Sequence, residues 1–171
     1  VVEPETEDAA TEETTEEVTE QSTEESDAEL AELKDDTVYE TEDGAYQYQI
    51  QSDDTIIIKS YIGSDAAVVI PDTIDERSVT AIGSKAFYAK KITSVELSDS
   101  VKSIEVSAFR DCSELKEVDL NKVETIGSYA FENDTAIESI VLPETLKKVE
   151  RYVFNRCTAL TDITVSADIE S

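Results

Sequence analysis

The chain has no histidine, methionine or tryptophan among its 171 residues, and only two cysteines, three prolines and four glycines. Without histidine there is no Ser-His-Asp or Cys-His unit, no imidazole base and no common zinc site. No G-x-G-x-x-G or G-x-x-x-x-G-K-[ST] phosphate loop and no D-x-[DN]-x-[DN]-G calcium loop occurs. No run approaches the ~20 apolar residues of a membrane span. Positive charge is scarce as well: 14 Lys and Arg stand against 41 Asp and Glu, a net charge of −27. Phosphate contact needs a basic face, so this balance disfavours nucleic acid as a partner. Together these absences predict no catalytic residue, no cofactor and no metal site. Pairs such as Asp53-Asp54 and Asp72/Asp75 do not change that, because 41 acids make such pairs inevitable; they read as solvated surface.

The acidity is uneven. Residues 1–36 hold 16 acids and one lysine, −15 of the total −27. That tract is almost wholly Glu, Thr, Asp, Ser and Ala, so it cannot bury enough apolar surface to offset the entropy of ordering. Composition therefore predicts a disordered spacer over 1–36, reaching at most about 120 Å when extended, and one domain over 37–171. The chain does not begin with methionine, and an acidic, Thr-rich start is expected of an exported protein whose signal peptide has been removed.

What is abundant is repetition. One phrase occurs four times: Ile82-Gly-Ser-Lys-Ala-Phe87, Ile104-Glu-Val-Ser-Ala-Phe109, Ile126-Gly-Ser-Tyr-Ala-Phe131 and Val149-Glu-Arg-Tyr-Val-Phe154. Its phenylalanines fall 22, 22 and 23 residues apart. A unit that short cannot bury its own apolar face, so a fixed period in this range means stacked copies. A second pattern follows each phenylalanine: Ile92-x-x-Val95-x-Leu97, Leu115-x-x-Val118-x-Leu120, Ile137-x-x-Ile140-x-Leu142 and Leu160-x-x-Ile163-x-Val165. Its last three positions alternate as a short strand requires. Val68-Val-Ile70 is a leading partial copy. The turn between Leu120 and Val123 is one residue shorter than its counterparts, and there the period wavers.

In each strand the residues flanking the inward Val or Ile point outward. They form two columns, Ser94, Glu117, Ser139, Asp162 and Glu96, Asp119, Val141, Thr164, which are the candidate partner-binding residues. Extended strand surfaces of this kind hold partners in repeat proteins. Tyr129 and Tyr152 stand where Lys85 and Ser107 stand in other copies; they serve either as partial cover for the core or as aromatic handles for a ligand. Lys147, Lys148, Arg151 and Arg156 make the last coil locally basic, which reads as surface.

Cys112 and Cys157 occupy one position of two coils with a whole coil between them. Two strand steps of ~4.8 Å place them ~10 Å apart, beyond the ~7 Å limit for a bridge, so they are expected to be free and buried.

The form I-G-x-x-A-F, with C-x-x-L opening the strand, resembles the bacterial surface family of BspA-like leucine-rich repeats. The similarity covers residues 38 to 171, and Tyr46–Ile50 with Thr55–Gly63 look like that family's first hairpin. Departures are Asp134 and Lys90 where a cysteine is usual, and Val153 for alanine. The resemblance implies an α/β repeat solenoid with one short parallel strand per coil and an N-terminal β-hairpin cap. It also implies a non-enzymatic, extracellular or cell-surface bacterial protein that binds proteins or adheres to host matrix or neighbouring cells. A passive accessory module of a larger exported enzyme is the alternative.

Overall fold

Val, Ile and aromatic residues at every second position build short strands, and turn residues end each one after two to six residues. The structure, a computed structural model, describes residues 37–166. The expectation of disorder over 1–36 lies outside the described residues.

β1 (Tyr39–Glu40), β2 (Tyr46–Ile50) and β3 (Ile56–Tyr61) form an antiparallel unit. From β3 onward the pairing turns parallel: β3 meets β6 (Arg77–Ile82), followed by β8 (Ser103–Ile104), β10 (Thr125–Ile126) and β12 (Lys148–Val149). β5 (Thr73–Ile74) folds back on β6. The other side of each coil carries β4 (Ala67–Val69), β7 (Ser94–Glu96), β9 (Glu117–Asp119), β11 (Ser139–Leu142) and β13 (Asp162–Val165). One coil therefore contributes a strand to each of two opposed faces, the arrangement of a β-solenoid.

The inward side chains stack by type. Phe87, Phe109 and Phe131 are fully buried, their rings 4.9 and 5.2 Å apart and nearly parallel, and Phe154 continues the column at 5.7 Å. Tyr61 of β3 heads it, 5.1 Å from Phe87. Ala86, Ala108, Ala130 and Val153 form a second ladder, and each phenylalanine amide bonds the carbonyl of the next coil's member: Phe87 to Ala108, Phe109 to Ala130 and Phe131 to Val153. Three of the four members are alanine, where the return segments approach at hydrogen-bond distance, and Val153 of the last coil is accommodated in the same bond. Gly127 carries the same constraint further, since a Cβ on it would lie 2.7 Å from the Glu105 backbone carbon.

The α/β expectation is corrected. No helix occurs among the described residues. Each return segment has two residues in the left-handed region, four apart: Lys85 and Ala89, Ser107 and Asp111, Tyr129 and Asn133, Tyr152 and Arg156, with φ between 55° and 65°. Such residues break an α-helix at every turn. The amides instead alternate between local turns, such as Arg110 to Ser107, and bonds to the next coil, such as Ser107 to Ser128 and Asp111 to Glu132. The segments are thus strung turns, stitched between coils.

Candidate functional site: the strand face

The eight residues named from the sequence all belong to β7, β9, β11 or β13. Register brings them together as columns within two blocks. Ser94 pairs with Glu117 and Glu96 with Asp119, while Ser139 pairs with Asp162 and Val141 with Thr164. Ala67 and Val69 of β4 lead the same columns through their pairing with Ser94 and Glu96. All eight side chains are exposed except Ser94, which is intermediate, and between them Val95 and Ile140 are buried inward.

The columns are not continuous. β4, β7 and β9 form one three-stranded sheet and β11 and β13 a separate pair, with no ladder between β9 and β11. β9 is as long as β7 and pairs with it along its whole length, so the division lies between β9 and β11 alone. Val118 is only partly buried, unlike Val95 and Ile140. A groove of about 510 Å³ crosses the face from β4 to β11, with Val68, Val95, Val118 and Ile140 along its floor.

Chemically the face presents carboxylates, small hydroxyls and two apolar side chains, Val69 and Val141, which are 64% and 55% exposed. Groups with strongly perturbed titration lie elsewhere, inside the stack. Burial pushes the Cys112 thiol up to about 12 and the Cys157 thiol up to about 11, and both cysteines are free and buried as the spacing required. Burial also pushes the carboxyl of Asp134, between them in the ladder, up to about 8. Among the described residues no three His, Cys, Asp or Glu are placed to hold a metal ion.

Tyr129 and Tyr152 lie on the return segments. Tyr129 is half-buried and Tyr152 is 57% exposed; their rings stack at 5.3 Å, with the Arg110 guanidinium 6.0 Å from the Tyr129 ring centre. They stack on one another above the return segments, away from the strand face. Lys147, Lys148, Arg151 and Arg156 are exposed, and the two lysines pair with Glu124 and Glu150. Asp53, Asp54, Asp72 and Asp75 are also exposed.

Residues 80–171 match the family described as BspA type leucine rich repeat region, in six copies. The chain belongs to the BspA-type leucine-rich repeat family. Solved structures agree with this assignment. A leucine-rich repeat protein of Bacteroides capillosus is 29% identical, with 77% of this chain and 100% of that chain covered and a TM-score of 0.68. The T. pallidum leucine-rich repeat protein is 27% identical over 73% of this chain and 71% of its own, TM-score 0.59. A leucine-rich cell surface protein of Faecalibacterium prausnitzii is 25% identical over 77% of this chain and 43% of its own, also with a TM-score of 0.59. No curated protein matches the chain. The BspA-type solenoid is thus a repeat module of the kind used for protein–protein interaction, and no helix among the described residues is long and apolar enough to cross a membrane.

Proposed function

We propose that this chain is a non-enzymatic binding module displayed on, or released from, a bacterial cell, and that its strand face is the surface that contacts a partner protein. The observation that carries this reading is the pair of exposed columns, in which Glu96, Glu117, Asp119 and Asp162 stand beside Val69 and Val141 on a rigid stack of strands. A preformed, ordered surface costs little conformational entropy on binding, which is the advantage of a solenoid face over a loop. The outside location is supported by the similar Faecalibacterium protein, described as a cell surface protein. In this reading the antiparallel β1–β3 unit caps the first coil, and the acidic tract over 1–36 is a like-charged spacer holding the domain away from whatever anchors it. Adhesion to host matrix or to neighbouring cells is the role that fits such a display.

A photoreactive benzoylphenylalanine placed at Val141, on the strand face, or at Val106, exposed outside it, tests the reading. The chain is irradiated with a panel of purified extracellular matrix proteins. Adducts are expected from position 141 and not from position 106; equal yield from both, or none from 141, rejects the strand face as the contact surface.

A further inference from the structure

The strand face carries a groove, lined from β4 to β11, whose walls carry charge and whose floor is apolar. The floor is Val68, Val95, Val118 and Ile140, with Val118 the half-open member. It crosses four strands, β4, β7, β9 and β11. At about 4.8 Å per strand step the groove is on the order of 15 Å long, the reach of four to five extended residues.

The walls carry negative charge. Glu96 and Asp119 are directly opposed across β7 and β9, and Glu117 points the same way from two residues earlier in β9. Like charges facing each other across a ladder destabilise a sheet. Some carboxylates elsewhere have cationic partners, such as Asp54 with Arg77, Asp99 with Lys122, Glu124 with Lys147 and Glu150 with Lys148, while others, such as Asp53, Asp72 and Glu144, form no ion pair among the described residues. None of Glu96, Glu117, Asp119 and Asp162 forms an ion pair among the described residues, although Lys116 lines the same groove. The carboxylates are spread along the walls and do not converge as a metal site does. A row of separate cations, spaced along a chain, is the complement that such walls require.

We infer that the groove receives an extended polypeptide segment of alternating basic and apolar residues, its cations set against Glu96, Glu117 and Asp119 and its apolar side chains on Val118 and Val141. This rests on the strand-face reading and narrows it to one class of partner. Alternation is required because one extended chain presents its side chains to two sides with period two. A purely basic segment leaves the apolar floor uncovered, and a purely apolar one buries carboxylates without partners.

The test uses the full chain and a fluorescein-labelled peptide of sequence Lys-Val-Lys-Val-Lys-Val-Lys, followed by fluorescence anisotropy. Two controls separate the groove from diffuse attraction. The triple variant Glu96→Gln, Glu117→Gln, Asp119→Asn removes three charges from the walls, and Glu3→Gln, Glu5→Gln, Glu7→Gln removes three from the acidic tract. The expected result is binding weakened at least about tenfold by the wall variant and changed less than about twofold by the tract variant. Peptides alternating Glu with Val, or Lys with Ser, should bind at least about tenfold more weakly than Lys-Val. Equal weakening by both triple variants, or equal binding of Lys-Val and Lys-Ser peptides, overturns the inference. Should the wall variant melt early, Val141→Arg at an exposed position repels the same cations; unchanged peptide affinity in that variant overturns the inference equally. The photoreactive chain keeps the two readings apart. Adducts from position 141 with no Lys-Val binding leave the strand face intact and remove the basic partner, whereas loss of both removes the strand face itself.

Discussion

The backbone N–H of Cys112 donates to Oδ1 of Asp134 across one coil, at 2.7 Å, and this bond sets a carboxyl group on the rung between the thiols of Cys112 and Cys157. Cys112 and Cys157 each donate Sγ–H to the phenylalanine carbonyl of the preceding coil, Phe87 and Phe131, both at 3.0 Å. The carbonyl in register for Asp134 is that of Phe109. Asp134 is fully buried and its Oδ2 has no donor. A protonated carboxyl supplies from Oδ2 the same kind of donor that a thiol supplies from Sγ, so the neutral acid is the form that suits this rung.

Stability should therefore depend on pH through Asp134. Burial raises its carboxyl from 3.8 to about 8; the Cys112 amide opposes this, and the Asp111 charge adds to it. A folded-state value above the unfolded one means the contribution is fully present below about 4 and is lost as pH rises through about 8. The slope in that window is at most ~1.4 kcal/mol per pH unit. Asp111 runs the other way: the Asn133 amide holds its carboxyl below the ordinary range, so its contribution is lost only as pH falls below that range. Thermal melts should show the highest Tm in weakly acidic buffer and a decline toward pH 8. Asp134→Asn keeps the acceptor for Cys112 and adds a permanent donor. It should raise stability at pH 8 by about 2–4 kcal/mol and flatten the profile. A wild-type profile already flat between pH 5 and 8 would exclude a buried neutral acid.

The thiols should be silent in the folded chain. A thiol reacts as thiolate, and both groups are buried and held well above neutral pH. An aromatic disulfide reagent at neutral pH should label neither Cys112 nor Cys157 until denaturant is added, when both react. Labelling of either at native-state rates comparable to free cysteine would show that its rung opens.

The phenylalanine column supplies the graded test of packing. Phe109→Ala and Phe131→Ala each empty a fully buried site between two stacked rings, and each should cost ~3–5 kcal/mol. Phe154 is only half-buried, with a described ring on one side, so Phe154→Ala should cost clearly less. Equal losses in denaturant titrations would contradict the described packing.

How far residues alone led differs by feature. The coil period, the inward phenylalanines and the alternation of the strands were legible, because each is a spacing that packing enforces in every copy. The absence of helix was not. The left-handed positions are filled by Lys85, Ser107, Tyr129 and Tyr152 rather than glycine, so the usual signal of a broken helix was missing; hydrogen bonds to adjacent coils hold these residues where local preference does not. Asp134 stood out as a departure from cysteine, but carboxylates are so common in this chain that one buried acid cannot be told from solvated ones by composition. Tyr61 at the head of the ring column was invisible for a related reason: it belongs to a hairpin outside the repeat, and nothing in the period points to it. The columns of the strand face were legible as columns, while their division between β9 and β11 was not, because the strand pattern repeats unchanged on either side of it.

The charge arrangement of the strand face makes a last prediction that needs no partner. Glu96 and Asp119 face each other across β7 and β9, and Oδ1 of Asp119 also accepts the Asn121 amide, which ties that carboxylate in place. Glu96 bonds the Ile70 amide through its backbone carbonyl, but its side chain forms no ion pair among the described residues, so it is the member free to change. Glu96→Lys turns a like pair into an opposite one and should stabilise the chain by ~0.2–1 kcal/mol, with the gain shrinking as salt screens the pair. Glu96→Gln should recover a smaller part. In most surface positions reversing a charge has little effect on stability, so a rise in Tm at low salt that fades at high salt identifies repulsion as a cost carried by the native sheet. If Glu96→Lys lowers Tm instead, the two carboxylates are not in repulsive contact, and the argument that the groove walls await external cations loses its energetic basis.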